Sequence, residues 1–381
     1  MLQFFDYEVL RIIWWILLGV LLIGFAIMDG FDLGIAILLP FIAKNDIEKR
    51  ILLNSIGPVW EGNQVWLILG AGAIFAAWPF VYAVSFSGFY FAMLIILLAL
   101  ILRPVGFDYR EKIKHKIWKN IWDICIFISG LVPALVFGVA VGNAIKGIPF
   151  SFNSFMMIEN KINFFALFSP FTIICGLLSL LILVNQGVCY LAIKTEGEIL
   201  LRVKKITNFS PLLAIGLFAI GGWMLNYIDC YQITDFAGKM TDSNPLRKTV
   251  ITATGCWLDN YQKYPLIHIA PIIGFLGQLL IVFFIKYNQY GKAFIASSIS
   301  IAGIIATVGL TMFPFILPSN LDPNSSLTVW DASSSKFTLM VMLIATIIFV
   351  PIIIAYTSWV YRILRGKVNE KDIKKDSNFL Y

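Results

Sequence analysis

Only two histidines, His115 and His268, and five cysteines occur among the 381 residues. A membrane protein that binds its own haems usually offers several His or Met ligands from different helices. His115 falls in a basic loop and His268 stands alone at the edge of an apolar run, so the chain lacks such a set, and His268 reads as a hydrogen-bonded interfacial residue. Cys125, Cys175 and Cys189 lie in or beside apolar segments, and no metal-ligand spacing appears. Cys230 and Cys256 share one polar stretch, where spacing alone leaves their pairing open. No glycine loop of the phosphate-cradling type is present, which excludes nucleotide chemistry of that kind. Charge is scarce too, at 13%, and no soluble-domain-sized polar stretch interrupts the chain. These absences leave no support for catalysis by this polypeptide alone.

What is abundant is apolar sequence. Hydrophobic residues make up 59%, and the mean hydropathy is +0.84, outside the balance of soluble domains. The fold expected is an all-α polytopic membrane protein, one helical bundle over residues 1–381. Runs of about 20 apolar residues place nine spans near 10–39, 59–77, 80–102, 122–145, 164–192, 210–228, 265–285, 292–316 and 337–361. The first run is too long for a signal-peptide core and lacks a basic leader, so it is expected to stay attached. With the N-terminus outside and the C-terminus in the cytoplasm, 21 of the 29 Lys and Arg fall on inner segments, as the positive-inside rule requires. Residues 226–264 then form the longest outer, periplasmic loop, and 362–381 an inner tail. The net charge of +7 is thereby assigned to topology, and nucleic acid is excluded as a partner.

Against this background the acids inside apolar runs stand out. A carboxylate at the bilayer centre costs about 2.5–3.5 kcal/mol on insertion scales, so Glu61, in Trp60-Glu61-Gly62-Asn63-Gln64-Val65-Trp66, needs protein, water or a cation beside it. Asp29 and Asp32, three residues apart, share one helix face. Arg103, before a helix-ending proline, and Asp108 reach the same depth by a third crossing. A guanidinium can bond two carboxylates at once, which makes Arg103 their natural counter-ion. The plainer readings are an Asp that caps a helix broken at the glycines, Gly30 and Gly34, and an arginine that only anchors a span. In the loop from Asn324 to Ser335, the serines read as helix caps and Trp330 as an interfacial aromatic. Asp123 and Pro133 read as a span boundary and a kink. Two functions fit: an accessory subunit that gives a cofactor-bearing partner a proton path, or a proton-coupled secondary transporter built on Asp29, Asp32 and Glu61. No internal repeat is detectable, which favours the first.

Several motifs together resemble one family. Asp6-Tyr7-Glu8-Val9-Leu10-Arg11, Asp29-Gly30-Phe31-Asp32, Trp60 through Trp66, Phe75-Ala76-Ala77-Trp78-Pro79, Phe86-Ser87-Gly88-Phe89-Tyr90, Arg103 through Arg110, and Ser326-Leu327-Thr328 with Trp330-Asp331-Ala332 are similar to subunit II of the cytochrome bd ubiquinol oxidases, over essentially the whole chain. The resemblance implies a bacterial inner-membrane heterodimer whose subunit I holds two haems b, one haem d and the quinol site. It implies quinol oxidation and dioxygen reduction to water without proton pumping. It further implies a proton-uptake path through the position of Glu61, with Asp29, Asp32, Arg103 and Asp108 lining or neighbouring it, Trp66 beside a dioxygen route, and Trp60, Asn63, Gln64, Trp330 and Asp331 as structural motif residues. A structural quinone in this chain, a small single-helix subunit and bound lipid belong to the same expectation. Relatives often carry Asp where this chain has Glu61, one methylene longer.

Overall fold

The computed structural model describes residues 5–236 and 238–368; the last residues of the expected tail, 369–381, lie outside the described part. In chain order the helices are α1 (Tyr7–Ile42), α2 (Asp46–Ile56), α3 (Trp60–Ala77), α4 (Pro79–Gly88), α5 (Tyr90–Tyr109), α6 (Lys116–Lys146), α7 (Pro170–Lys194), α8 (Gly197–Thr207), α9 (Ser210–Met224), α10 (Asp259–Lys263), α11 (Ile269–Lys286), α12 (Tyr290–Met312) and α13 (Lys336–Ile363). Three antiparallel hairpins join them: β1 (Phe150–Phe152) with β2 (Ile158–Asn160), β3 (Asp229–Phe236) with β4 (Lys248–Thr254), and β5 (Phe315–Leu317) with β6 (Leu327–Thr328). Among the described residues, eight helical stretches are long and apolar enough to cross a membrane. The ninth expected span is α3, whose polar first turn leaves its 18 residues less apolar than the other eight.

Local chemistry moved several boundaries. The span expected at 164–192 begins at Pro170, because Ser169 and Thr172 form a capping box there and proline suits the first helical turn. The span expected at 80–102 is two helices that break at Phe89, just after Gly88 and after Ser87, whose hydroxyl bonds back to Ala83 O. The span expected at 292–316 stops at Met312, and Phe315–Leu317 turn into a strand instead.

α1 is the axis. It packs against α3, α6, α7 and α12, and from Asp29 to Leu39 every side chain is buried. It runs unbroken through Gly30 and Gly34, so neither aspartate caps a broken helix. Gly34 meets α7 backbone to backbone: a Cβ there would lie 2.9 Å from the carbonyl carbon of Leu183 and 3.2 Å from the Cα of Gly187. Small residues at such a crossing let two helices approach closely, where van der Waals contact supplies the adhesion that lipid does not. Nearby, Asn185 of α7 donates to Gln278 of α11 at 2.9 Å and accepts from Ser210 of α9 at 2.6 Å, and Gln278 donates to Ser300 of α12 at 2.9 Å. This buried chain of amides and hydroxyls ties four helices together.

The two ends of the bundle are closed differently. At the end where α1 begins, Arg11 is fully buried with its guanidinium 3.6 Å above the Tyr7 ring. It donates to Ser333 Oγ at 2.7 Å, Lys239 O at 2.7 Å, Thr241 O at 3.1 Å and Ser243 Oγ at 2.9 Å. The serines of the 324–335 loop therefore divide their work. Ser335 does cap α13, by accepting from Thr338 N, but Ser333 and Ser334 hold α1 and α3 instead. Trp330, expected at an interface, is buried against Phe313. Asp331 is buried too, paired with Lys248 at 2.8 Å and accepting from Thr328 N at 2.9 Å. The same region holds the Cys230–Cys256 disulfide, with Cα atoms 5.6 Å apart.

At the other end, α2 is clamped by ions. Arg110 pairs with Asp123 at 2.6 Å, with Asp46 at 2.8 Å, and with Glu111. Lys119 reaches Asp46 and Glu111 at 2.8 Å each, and Lys49 reaches Asp123 at 2.8 Å. Asp123, read from sequence as a mere boundary, is thus a shared anchor. Arg202 of α8 grips Glu48 at 2.6 Å, and its hydrogen bonds hold the Glu48 carboxyl below the usual glutamate range.

Candidate functional site: a buried acid–arginine cluster

Asp29 and Asp32 project from one face of α1 and are both fully buried. From α5, Arg103, also buried, donates from Nη1 to Asp29 Oδ1 at 2.6 Å. It does not bridge to Asp32. That carboxylate takes its hydrogen bond from α3, where Asn63 Nδ2 donates to Asp32 Oδ2 at 2.8 Å. The Asn63 carbonyl oxygen in turn accepts from Tyr361 OH of α13 at 2.8 Å. Four helices thus converge on two carboxylates and one guanidinium.

The cluster is incompletely satisfied. Asp29 Oδ2, Asp32 Oδ1 and Arg103 Nε and Nη2 are buried with no hydrogen-bond partner among the described residues. A buried charged group without its bonds costs several kcal/mol in principle, so native structures keep few of them. Two acceptor oxygens and two donor nitrogens left over in one cluster are groups to which a small polar molecule could hydrogen-bond.

Glu61 and Asp108 stand outside this cluster. Both are exposed on the surface of the chain, and neither has a hydrogen-bond or ion-pair partner among the described residues. Each adjoins one ring of the same stack: Trp60 lies on Phe107 with ring centroids 5.5 Å apart and planes 13° from parallel. The stack brings the first turn of α3 to the last turn of α5, with the exposed acids following it in sequence on either side. Trp60 Nε1 is a further buried donor without a partner. Trp66, a turn and a half along α3, lies against Gly24, where a Cβ would come within 2.6 Å of Trp66 Cε3. Gln64 is half-buried.

The comparisons with known proteins bear on this arrangement. The family model for cytochrome bd terminal oxidase subunit II matches residues 10–364. The chain belongs to that family. It is 45% identical over 377 residues to the cytochrome bd-I ubiquinol oxidase subunit 2 of Escherichia coli strain K12, covering 99% of this chain and all of that protein. It is 44% identical to a probable cytochrome oxidase subunit 2 of Haemophilus influenzae over 99% of this chain and all of that protein. It is 30% identical to the cytochrome bd ubiquinol oxidase subunit 2 of Bacillus subtilis over 94% of this chain and 97% of that protein. The fold matches a chain in the structure of bd oxidase from Geobacillus thermodenitrificans with a TM-score of 0.67 at 18% identity, covering 93% of this chain and 98% of that one.

As a cytochrome bd subunit II the chain is one part of a membrane oxidoreductase and spans the inner membrane several times. Its two histidines stand apart from the cluster. His268 is exposed, with Nδ1 2.9 Å from Pro265 O, and His115 is exposed in its loop. Among the described residues, no three His, Cys, Asp or Glu side chains gather as metal ligands would. Of the residues singled out in the sequence, Asp29, Asp32, Arg103 and Asn63 meet in the cluster; Glu61, Asp108, Trp60, Gln64 and Trp66 lie around it. Trp330 and Asp331 belong to the opposite end, beside the Tyr7 and Arg11 turn of α1. Tyr361 is the member that sequence reasoning missed. A tyrosine at the end of an apolar helix has the signature of an ordinary interfacial aromatic, and nothing local marks it as bonded to α3.

Proposed function

We propose that this chain is the accessory subunit of a cytochrome bd quinol oxidase and supplies a proton-uptake path to a haem-bearing subunit I. That partner would hold two haems b, one haem d and the quinol site, supplying the electron transfer that reduces dioxygen to water. Protons from quinol are released outside and those consumed in water formation enter from the cytoplasm, so the reaction separates charge without a pumping step. In this reading the N-terminus is outside, and Glu61 and Asp108 collect protons at the cytoplasmic end of the bundle. Glu61 faces away from its own chain and is covered by subunit I. The observation that carries the proposal is the buried Asp29–Arg103 pair with Asp32 beside it. Burial of three ionisable groups with four bonds unmade is hard to account for as packing. Arg103 holds Asp29 as a fixed counter-charge, and Asp32, bonded through one oxygen only, is the group free to exchange a proton. Trp66 lines a dioxygen route in the same reading, and a structural quinone, lipid and a small single-helix subunit complete the complex.

The test is Glu61→Gln in the purified, assembled oxidase. The amide keeps size and polarity but carries no exchangeable acid, so dioxygen reduction slows while the visible haem spectrum stays that of the parent. An unchanged rate with intact haem content removes Glu61 from the path.

A further inference from the structure

The end of α13 is held to the bundle by polar contacts as well as by the packing of Tyr361, Leu364 and Val368 against the core. The buried side chains of this helix, Leu339, Met340 and Leu343, are all in its first third, and most of the remainder is exposed. Tyr361, two residues from its end, turns inward instead and donates its hydroxyl hydrogen to Asn63 Oδ1 at 2.8 Å. Just beyond, Lys194 of α7 donates to Leu364 O at 2.6 Å, and Val368 N donates to Lys194 O at 2.9 Å. The hydroxyl is therefore carried on a helix end whose backbone is anchored just beyond it.

The Asn63 amide is what this hydroxyl controls. A primary amide has an accepting and a donating end, and only one orientation offers N–H to a carboxylate. With the oxygen of Asn63 engaged by Tyr361, its nitrogen faces Asp32 and donates to Oδ2 at 2.8 Å. Asp32 Oδ1 keeps no partner. One oxygen of Asp32 is thus fixed and the other left open, by a residue that never touches it.

We propose that Tyr361 is a positioning residue for Asp32, acting through Asn63. It transfers no proton: the hydroxyl hydrogen stays on its oxygen, and its work is to keep the amide from turning over. This rests on the reading of Asp32 as part of the proton path. In its absence the Asn63 oxygen turns toward Asp32 in part of the population, and the carboxylate loses the bond that aims its free oxygen.

The experiment uses the assembled oxidase, comparing Tyr361→Phe, Asp32→Asn and the double variant. The loss of one hydrogen bond of about 1 kcal/mol corresponds to about a five-fold lower kcat in Y361F. The quinol KM and the haem spectrum stay at parent values, which a general loosening of the helix end would not leave in place. The double variant is no slower than D32N alone, because both changes act at one carboxylate. Should D32N fail to assemble, Asn63→Val, which severs the same chain, takes its place in the double. If Y361F turns over at the parent rate while D32N or N63V is slow, the positioning role is wrong and the proton path stands. If the two effects multiply in the double, Tyr361 acts elsewhere and the proposal is also wrong. If D32N assembles and turns over normally, the proton path itself falls and takes this proposal with it.

Discussion

Removing the charge of Arg103 leaves Asp29 and Asp32 buried, three residues apart on one helix face, with no cation beside them. The structure allows the loss to be estimated. With nitrogen and oxygen 2.6 Å apart the charge centres are about 4 Å apart, and at an effective dielectric of about 20 their attraction is about 4 kcal/mol. This agrees with the roughly 3–5 kcal/mol seen when one partner of a buried pair is deleted. Arg103→Met, similar in length and apolar, isolates the charge from the packing of the stem. Equilibrium unfolding of the purified complex in mixed micelles, followed by tryptophan fluorescence, is measured for the parent, R103M, D29N and D29N/R103M. R103M is expected to lose about 4 kcal/mol, and the double variant to recover at least half, since the unpaired carboxylate is gone. A coupling energy below about 1 kcal/mol, the range of solvent-exposed pairs, would refute the picture of a dry ion pair and with it the reasoning that makes this cluster costly.

Other regions give independent tests. Gly34→Leu forces α1 and α7 apart at their backbone contact, and the assembled protein should fail to accumulate in membranes, whereas Gly222→Leu, in open space on α9, should accumulate normally. The Cys230–Cys256 bond closes a loop across 26 residues of sequence, worth about 3.5 kcal/mol by loop-closure entropy; Cys230→Ser with Cys256→Ser should lower the unfolding temperature, and reductant should then have no further effect. Glu48, whose pKa is lowered by Arg202, contributes stability that is complete above the ordinary glutamate range. That contribution falls as pH drops through that range and is gone below the lowered folded value. Glu48→Gln should flatten this part of the pH–stability profile and leave stability at neutral pH slightly reduced.

How far the site was legible depended on what kind of signal each residue leaves. Asp29, Asp32 and Arg103 announce themselves because charge within apolar sequence is expensive, and a shared depth on two crossings follows from counting residues along helices. Depth does not give direction around a helix axis, which is why the sequence could group Glu61 and Asp108 with the buried acids although they lie on the exterior. It also could not divide the carboxylates between Arg103 and Asn63, since that depends on side-chain rotamers, which residue spacing does not fix. The breaks at Phe89 and Met312 were hidden in runs whose hydropathy continues without interruption. Capping at Ser169 was visible in principle as Ser-Pro-x-Thr. Burial of Trp330 and Asp331 was not, because Lys239 and Lys248, which lie over the one and pair with the other, come from far away in the chain.

The grip of Arg11 has a bearing on biogenesis. This arginine lies on α1, made well before α13, yet one of its bonds is to Ser333, in the loop that leads into α13. Until that late segment has been synthesised and threaded, the guanidinium near the start of the chain lacks one of its final acceptors. The start of α1 is thus fully locked only once that later loop is in place, and a truncation before residue 333 leaves this guanidinium short of an acceptor for quality-control proteases to find.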